Sequence, residues 1–338
     1  MSDGARARWM AAVDAREHLW PSDEQRLLLD AALFDGDRAT NAFRAWRSTV
    51  QLEAEFSRGS YRLLPLVYHN MLQLGMRDPL MGRLKGVYRR SWYETHQLFH
   101  RTQPLVKQLA DAGIDVMLLK GAPLALSYYG NVALRPMADL DISVPQHRLA
   151  DALGIMRRLG WRFSADPDAE MVRFRHAVQC FGPDGSEVDL HWRVMYEIPE
   201  DAGDAEFWTT SEALDFMGTA VRQPDPTHTL LLIVVHGIRW NIETPVRWIP
   251  DALAVLRTRA ADIDWGRLLA LATQYRVTYR LGLGLTYRAE TRSAAIPADT
   301  LGRIDAAGLT MLERFENSVL LHDDGSLNIS LARTQLGF

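Results

Sequence analysis

Two short segments of this chain alternate polar with apolar residues and carry carboxylates on the polar side. The segment DLDISV begins with Asp139 and has Asp141 two places later, and the segment EVDLHW has Asp189 as its third residue. Successive side chains of a β-strand point to opposite faces of a sheet. The alternation therefore predicts two strands, each with one apolar face and one face that bears carboxylates. If the two strands are neighbours, all three carboxylates gather on one side of the sheet.

Carboxylates gathered on a sheet repel one another unless protonation or a cation offsets their charge. A divalent metal suits such a cluster, because magnesium prefers oxygen ligands and commonly keeps coordination positions open for substrate phosphates. Polar strand faces are also common without any such role. In that interpretation Asp139 caps a turn, Asp141 pairs with an arginine and Asp189 is a solvated strand residue.

The stretch that leads into the first of these strands carries a candidate phosphate-binding turn. Residues 118–144, LLKGAPLALSYYGNVALRPMADLDISV, predict a strand, a turn at Gly121, a helix, a loop and then the strand with two aspartates. A glycine at a strand-to-helix junction lets the backbone approach a phosphate, and the helix N-terminus contributes oriented amides. Lys120 and Arg135 add positive charge on either side. The alternatives are a solvated Lys120 and an Arg135 that forms a salt bridge with the aspartates.

Strand patterns are confined to the middle of the chain. Apolar residues recur at helical spacing before Gly113 and again from about Thr227 onward. The segment GPDGS joins two of the predicted strands and is typical of a hairpin turn. The sequence therefore predicts an α+β protein with a small mixed β-sheet core flanked by N-terminal and C-terminal helical regions. The predicted boundaries are 1–113, 114–200 and 201–338.

Charge and cysteine content exclude several classes of protein. The net charge of −4 provides no broad basic field, so nucleic acid is not an expected partner. The single cysteine, Cys180, excludes an intramolecular disulfide and a cysteine-based zinc site, which fits a reducing compartment. The N-terminal segment MSDGARARWM does not resemble a secretory signal, and the longest apolar runs are too short to cross a bilayer. We expect a soluble cytoplasmic protein without a membrane partner.

Several motifs together resemble one protein family. The segments LKGAPLA, RPMADLDISV and EVDLHW, with Tyr128 and Tyr129, look like a poorly characterised bacterial branch of the nucleotidyltransferases related to DNA polymerase β. RLLPLVYHNM upstream and LLIVVHGIRW and RWIPDALAVL downstream are similar to the same branch. The resemblance thus covers most of the chain and implies a nucleotidyltransferase core with the polymerase β-like fold.

The resemblance also implies roles for individual residues. Asp139 and Asp141 would be magnesium ligands, and Asp189 would complete the catalytic site as a third ligand or as the base for the acceptor hydroxyl. Gly121 and Ala122 would form the nucleotide-binding turn that receives the phosphates. Lys120 and Arg135 complete the expected nucleotide-binding residues, as cations that stabilise the triphosphate or the pyrophosphate. Ala122 departs from the serine or glycine often found in the superfamily, which removes a hydroxyl that could bind a phosphate oxygen. The gap between the glycine turn and the aspartates is also longer than usual.

The activity implied by the resemblance is magnesium-dependent transfer of a nucleoside monophosphate from a nucleoside triphosphate, with ATP expected, to a hydroxyl or phosphate of a small-molecule acceptor. Pyrophosphate is released, and one or two Mg²⁺ ions would take part. One alternative is nucleotidylation of a protein or peptide, and another is a catalytically silent nucleotide-binding or interaction module. His191 shares the predicted face of Asp189 and could orient an aspartate or contact the nucleotide, or be a hydrogen-bonded structural histidine.

Overall fold

The computed structural model describes residues 19–50, 58–198, 203–238, 246–290, 296–297 and 299–315. The chain divides into two compact units, of which the first combines residues up to Tyr88 with residues from Leu230 onward, and the second is Arg89–Thr229. All of the residues predicted to form the site fall in the second unit. Within the described part of the chain, no helix combines the length and the apolar character needed to cross a membrane.

Helices precede and follow a set of short strands. The helices are α1 (Asp23–Leu33), α2 (Gly36–Thr49), α3 (Arg58–Tyr61), α4 (Leu64–Gln73), α5 (Met81–Asp111), α6 (Gly121–Pro123), α7 (Leu149–Arg158), α8 (Ala169–Phe174), α9 (Ala205–Thr209), α10 (Pro226–Gly237), α11 (Trp248–Thr258), α12 (Trp265–Gln274), α13 (Thr278–Glu290) and α14 (Thr300–Ala307). The strands are β1 (Met117–Leu118), β2 (Leu140–Ser143), β3 (Arg162–Phe163), β4 (Ala177–Phe181), β5 (Glu187–His191), β6 (Glu212–Phe216) and β7 (Thr219–Gln223).

The strands form one mixed sheet of the second unit. Their order across the sheet is β3-β4-β5-β2-β1-β7-β6. The β2–β5 and β1–β7 pairs are parallel, and the other neighbouring pairs are antiparallel. A mixed sheet with helical segments before and after it in the chain confirms the predicted α+β class. The strands β2 and β5, which carry the aspartates, are neighbours near the centre of the sheet.

The apolar face of the two central strands lies in the core of the second unit. Leu140 and Ile142 of β2 are fully buried, as are Val188 and Leu190 of β5. They belong to one hydrophobic cluster with apolar residues of α5 and of α7. Helix α7 contributes five residues that share one side of the helix, as expected for a helix with one apolar face: Leu149, Ala152, Leu153, Ile155 and Met156. The predicted alternation is therefore confirmed for these strands, although β2 is buried on both faces and not only on the apolar one.

The segment GPDGS forms the predicted hairpin turn between β4 and β5. The amide of Gly182 donates to the carbonyl of Ser186 at 2.8 Å. Asp184 accepts hydrogen bonds from both the amide and the hydroxyl of Ser186. Gly185 has φ 79°, a conformation that glycine adopts at little steric cost. This turn holds β5 in register with β4 and so helps to place Asp189.

The sheet extends beyond residue 200, into the region expected to be helical. Strands β6 and β7 pair as an antiparallel hairpin, and β7 also pairs with β1. The hairpin turns at Met217 and Gly218, which have φ values of 52° and 81°. Two positive φ values suit the twist of a two-residue hairpin, but the sequence lacks the Asn-Gly or Asp-Gly signal that usually marks one. The sheet therefore continues past the predicted boundary at residue 200, and the return to helices expected from about Thr227 coincides with α10.

The helix expected after Gly121 is irregular. One α-helical turn, α6, continues into a π-helical turn at Leu124–Tyr128, and a 3-10 turn follows at Val132–Leu134. Tyr129 donates its amide to the carbonyl of Leu124, five residues back. Such π turns are rare and often occur near functional sites. The irregular segment connects β1 to β2 and so lies between the candidate phosphate-binding turn and the aspartates in the chain.

Candidate functional site

The two central strands place one aspartate directly beside another. In the parallel pairing of β2 with β5, Asp141 is opposite Asp189, and Ser143 is opposite His191. Residues that are opposite each other in neighbouring strands point to the same face of the sheet. Because Leu140 and Leu190 occupy the core face, both carboxylates project from the other face. The structure therefore brings Asp141 and Asp189 together, as the sequence pattern predicts.

Asp139 has a different position from these two residues. It is half-buried and directly precedes β2. Within the described part of the chain, the close group of possible metal ligands consists of Asp141, Asp189 and His191, whose ligand atoms lie within 4.8 Å of one another. Asp139 is not a member of that group, although its charge acts on Asp189. Its role as a metal ligand remains a prediction.

Lys120 reaches Asp141 from the end of β1. Its Nζ lies 2.5 Å from Oδ1 of Asp141, and the lysine side chain is 21% exposed. The amide of Leu119 donates to the carbonyl of Asp141 at 3.0 Å, which ties the end of β1 to β2. An arginine is the partner expected for Asp141 in the alternative interpretation of the sequence. The partner is Lys120, and this lysine is not a freely solvated residue.

His191 contacts the same oxygen of Asp141. Its Nε2 lies 3.1 Å from Oδ1, and the residue is 1% exposed. Burial and the Lys120 charge lower the pKa of His191, so the ring is neutral at pH 7. Since an ionised carboxylate only accepts hydrogen bonds, the ring proton is on Nε2, and Nε2 donates a hydrogen bond to Asp141. Nδ1 has no hydrogen-bond partner among the described residues, and the edge of the His176 ring packs nearby with centroids 5.2 Å apart.

The two neighbouring carboxylates differ in their electrostatic environment. Burial raises the pKa of Asp141, but the Lys120 ammonium and the His191 hydrogen bond outweigh it and hold the pKa of that carboxyl well below its usual range. Burial, followed by the charges of Asp141 and Asp139, raises the pKa of Asp189 to about 6. One aspartate therefore has a cation beside it, whereas the other lies in an excess of negative charge. Such a site favours an added cation.

Three of the predicted nucleotide-binding residues, Gly121, Ala122 and Arg135, are buried, and Lys120 is partly buried. Gly121 and Ala122 begin α6 and are buried, and Ala122 belongs to the hydrophobic cluster of the second unit. An apolar methyl group suits that buried position. A Cβ on Gly121 would approach Sδ of Met137 to 3.3 Å. Arg135 is 7% exposed and donates to the carbonyl of Pro136 at 3.2 Å. Contact of these residues with a nucleotide remains a prediction.

The raised pKa of Asp189 predicts a pH-dependent free energy of unfolding in the metal-free protein. Its pKa is about 6 in the folded chain against 3.8 for an unperturbed aspartate. Between these values the folded state binds a proton that the unfolded state has lost. Stability attributable to Asp189 is therefore lost as pH rises from about 4 to 6. The pKa difference corresponds to about 3 kcal/mol, and solvent screening of this partly exposed carboxyl reduces the expected loss to about 2 kcal/mol.

Urea unfolding of the wild type and of the Asp189→Asn variant, in the presence of a chelator, measures this difference. Asparagine cannot ionise, so we expect the variant to become progressively more stable than the wild type as pH rises to 7. A difference between the two proteins that is constant over this range would show that the Asp189 carboxyl has an ordinary pKa.

Comparison with known proteins gives one family match. The family model described as "Uncharacterised nucleotidyltransferase" matches residues 60–292. No curated protein matches the chain.

Three solved structures show remote similarity. A solution structure of the antibiotic-resistance factor ANT(2'')-Ia has 15% identity and a TM-score of 0.37, over 59% of this chain and 99% of that one. A crystal structure of ANT(2'')-Ia in complex with adenylyl-2''-tobramycin has 16% identity and a TM-score of 0.37, over 54% and 97%. An antigenic nucleotidyltransferase-like protein from Paracoccidioides brasiliensis has 16% identity and a TM-score of 0.38, over 68% and 99%.

Proposed function

The chain belongs to the uncharacterised nucleotidyltransferase family, and we propose that it transfers a nucleoside monophosphate from a nucleoside triphosphate to a hydroxyl or phosphate of a small molecule. ATP is the expected triphosphate, and pyrophosphate is the leaving group. The observation that carries this proposal is the placement of Asp141 beside Asp189 on the two central strands. The net charge of −4 argues against a nucleic-acid acceptor.

A divalent cation fits the donor set of this site. Asp141 and Asp189 offer carboxylate oxygens, which are the ligands that Mg²⁺ prefers. Burial, followed by the charges of Asp141 and Asp139, raises the pKa of Asp189, and a cation held by these carboxylates would offset the negative charge. We assign the cation to Asp141 and Asp189, with Asp139 as a further predicted ligand. When bound, Mg²⁺ would neutralise charge on the triphosphate and lower the pKa of the acceptor hydroxyl.

The residues around the carboxylates have supporting roles in this proposal. The proton on Nε2 of His191 holds Oδ1 of Asp141 and so orients the carboxylate. The Lys120 ammonium provides positive charge for the triphosphate. Asp189 either serves only as a ligand of the cation or is also the base that accepts the proton of the acceptor hydroxyl. In the second role its carboxylate would accept that proton as the hydroxyl oxygen attacks the α-phosphate and pyrophosphate departs.

A transfer assay tests the proposal. The purified chain is incubated with each of four triphosphates labelled at the α-phosphate, together with a metabolite extract or a protein lysate. We expect label in a small-molecule product, with equimolar pyrophosphate, only when Mg²⁺ is present and not when a chelator is added. Label confined to protein would support nucleotidylation of a protein or peptide instead. Triphosphate binding without transfer in any extract would support the silent module.

A further inference from the structure

Lys120 is an unusual cation for this chain. Of the 38 lysine and arginine residues, three are lysines, namely Lys85, Lys107 and Lys120. Lys85 and Lys107 lie exposed on helix α5. Arginine presents a planar fork of donors that is suited to a permanent pair with a carboxylate, whereas lysine is a compact point charge on a flexible stem. A chain that uses arginine almost everywhere thus places a lysine against Asp141.

The backbone at Lys120 is held in a conformation that non-glycine residues rarely adopt. Its φ is 50° and its ψ is −102°. Strained backbone of this kind persists only where the surrounding structure determines it, and it is concentrated at functional sites. On either side of Lys120, Leu119 donates its amide to the carbonyl of Asp141, and Leu124 donates its amide to the carbonyl of Lys120. These bonds anchor the backbone and leave the ammonium as the movable part.

The Lys120 ammonium lies against one carboxylate oxygen of Asp141, a residue of the proposed cation site. Nζ of Lys120 lies 2.5 Å from Oδ1 of Asp141, and Nε2 of His191 donates to the same oxygen. A protonated amine and a metal ion repel each other strongly at such distances, more so because both side chains of the ion pair are largely buried, with 21% and 10% exposure. The ion pair and a cation held by Asp141 and Asp189 therefore oppose each other.

We propose that Lys120 occupies the place of the divalent cation at Asp141, and that binding of the cation releases the ammonium to the triphosphate. This inference rests on the proposed function, since it requires the cation site at Asp141 and Asp189. A single positive charge offsets only part of the charge of the carboxylates, whereas a divalent cation offsets more and accepts several oxygens at once. The released ammonium is then a donor for phosphate oxygens. The cation thus prepares the site for the nucleotide.

Amine labelling followed by mass spectrometry tests the release directly. The full chain is treated with an amine-acylating reagent, with and without Mn²⁺ as the probe cation. We expect Mn²⁺ to increase the labelling rate of Lys120 about tenfold if the ion pair is populated in about nine molecules of ten. Lys85 and Lys107 are internal controls, and their rates should not change. In the Asp141→Asn variant, Lys120 should be labelled rapidly whether or not Mn²⁺ is present.

The affinity for Mn²⁺, measured by calorimetry, provides the second test. Removing the competing ammonium in Lys120→Met should tighten Mn²⁺ binding about tenfold, because the site is then always available. Lys120→Gly also removes the ammonium, and glycine adopts the strained backbone conformation easily. Equal behaviour of the two variants would therefore show that loss of the charge, and not misfolding, changes the affinity. Lys107→Met is the matched control, since Lys107 pairs with the exposed Asp111 at 2.7 Å. The affinity of this variant for Mn²⁺ should equal that of the wild type.

The outcomes separate this inference from the proposed function. Equal Mn²⁺ affinities in the wild type and both Lys120 variants, or a Lys120 that stays protected when Mn²⁺ is bound, would overturn the exchange while the cation site itself stands. If none of the proteins binds Mn²⁺, the proposed cation site and the exchange both fail. Tighter binding in both variants together with faster labelling of Lys120 in the wild type supports the exchange.

Discussion

Replacement of Asp141 by asparagine is expected to lower the rate of nucleotidyl transfer about a thousandfold, because one preorganised charge at a reacting centre contributes on this scale. Asparagine keeps the shape of the side chain but removes the negative charge that would hold a divalent cation beside Asp189. The neighbouring contacts from Lys120 and His191 lose their ionised acceptor at the same time. The measurement is the initial rate of Mg²⁺-dependent pyrophosphate release at saturating triphosphate, with thermal unfolding to show that the variant is folded.

The Asp111→Asn variant is the matched control for this prediction. Asp111 also pairs with a lysine, Lys107, at 2.7 Å, but the two side chains are 54% and 55% exposed. Exposed pairs of this kind contribute little, so this variant should keep the rate and the stability of the wild type. A folded Asp141→Asn protein that retains activity within tenfold of the wild type would remove Asp141 from the proposed site.

Replacement of Gly237 by alanine is expected to destabilise the unit that contains residues from Leu230 onward by about 3 kcal/mol, because an added atom in a packed core displaces its neighbours. A Cβ at Gly237, the last residue of α10, would overlap Cβ and Cγ of Trp248. The Trp248 side chain cannot easily yield, since it is 4% exposed and packs against the rings of Trp20 and Tyr287. Urea or thermal unfolding of the purified chain measures the loss.

The control for this second prediction is Gly86→Ala, within α5. Nothing lies within 4 Å of the position of a Cβ at Gly86. Alanine favours a helix over glycine by up to about 1 kcal/mol, so this variant should be as stable as the wild type or slightly more stable. Equal stabilities of the two glycine variants would show that the close approach of Gly237 to Trp248 does not constrain the fold.

Local sequence patterns were sufficient for several features of the second unit. The polar and apolar alternation around Asp141 and Asp189 predicts the faces on which the structure places them. The GPDGS segment predicts the turn between β4 and β5, because Asp-Gly permits the backbone conformation that a tight connection needs. Both signals work because they depend on residues within a few positions of one another. The order of neighbouring residues is therefore enough to specify both the strand faces and the turn.

Other features depended on signals that the sequence does not show clearly. The β6–β7 hairpin turns at Met217 and Gly218, a pair with no strong turn signature, and so its strands were not predicted. The helix after Gly121 becomes a π-helical turn, a distortion that apolar spacing does not reveal. In both places the surrounding sheet selects a backbone conformation that local preference alone would not favour.

The sequence by itself determined the α+β class, the placement of carboxylates on one strand face and, through its motifs, the nucleotidyltransferase family. Only the tertiary structure decided that Lys120 is the partner of Asp141 and that His191, not Asp139, lies in the close group with the two aspartates. The physical reason is distance along the chain. A strand face follows from alternating neighbours, whereas the contact of Asp141 with His191 joins residues 50 positions apart and depends on the strand order set by packing of the whole sheet.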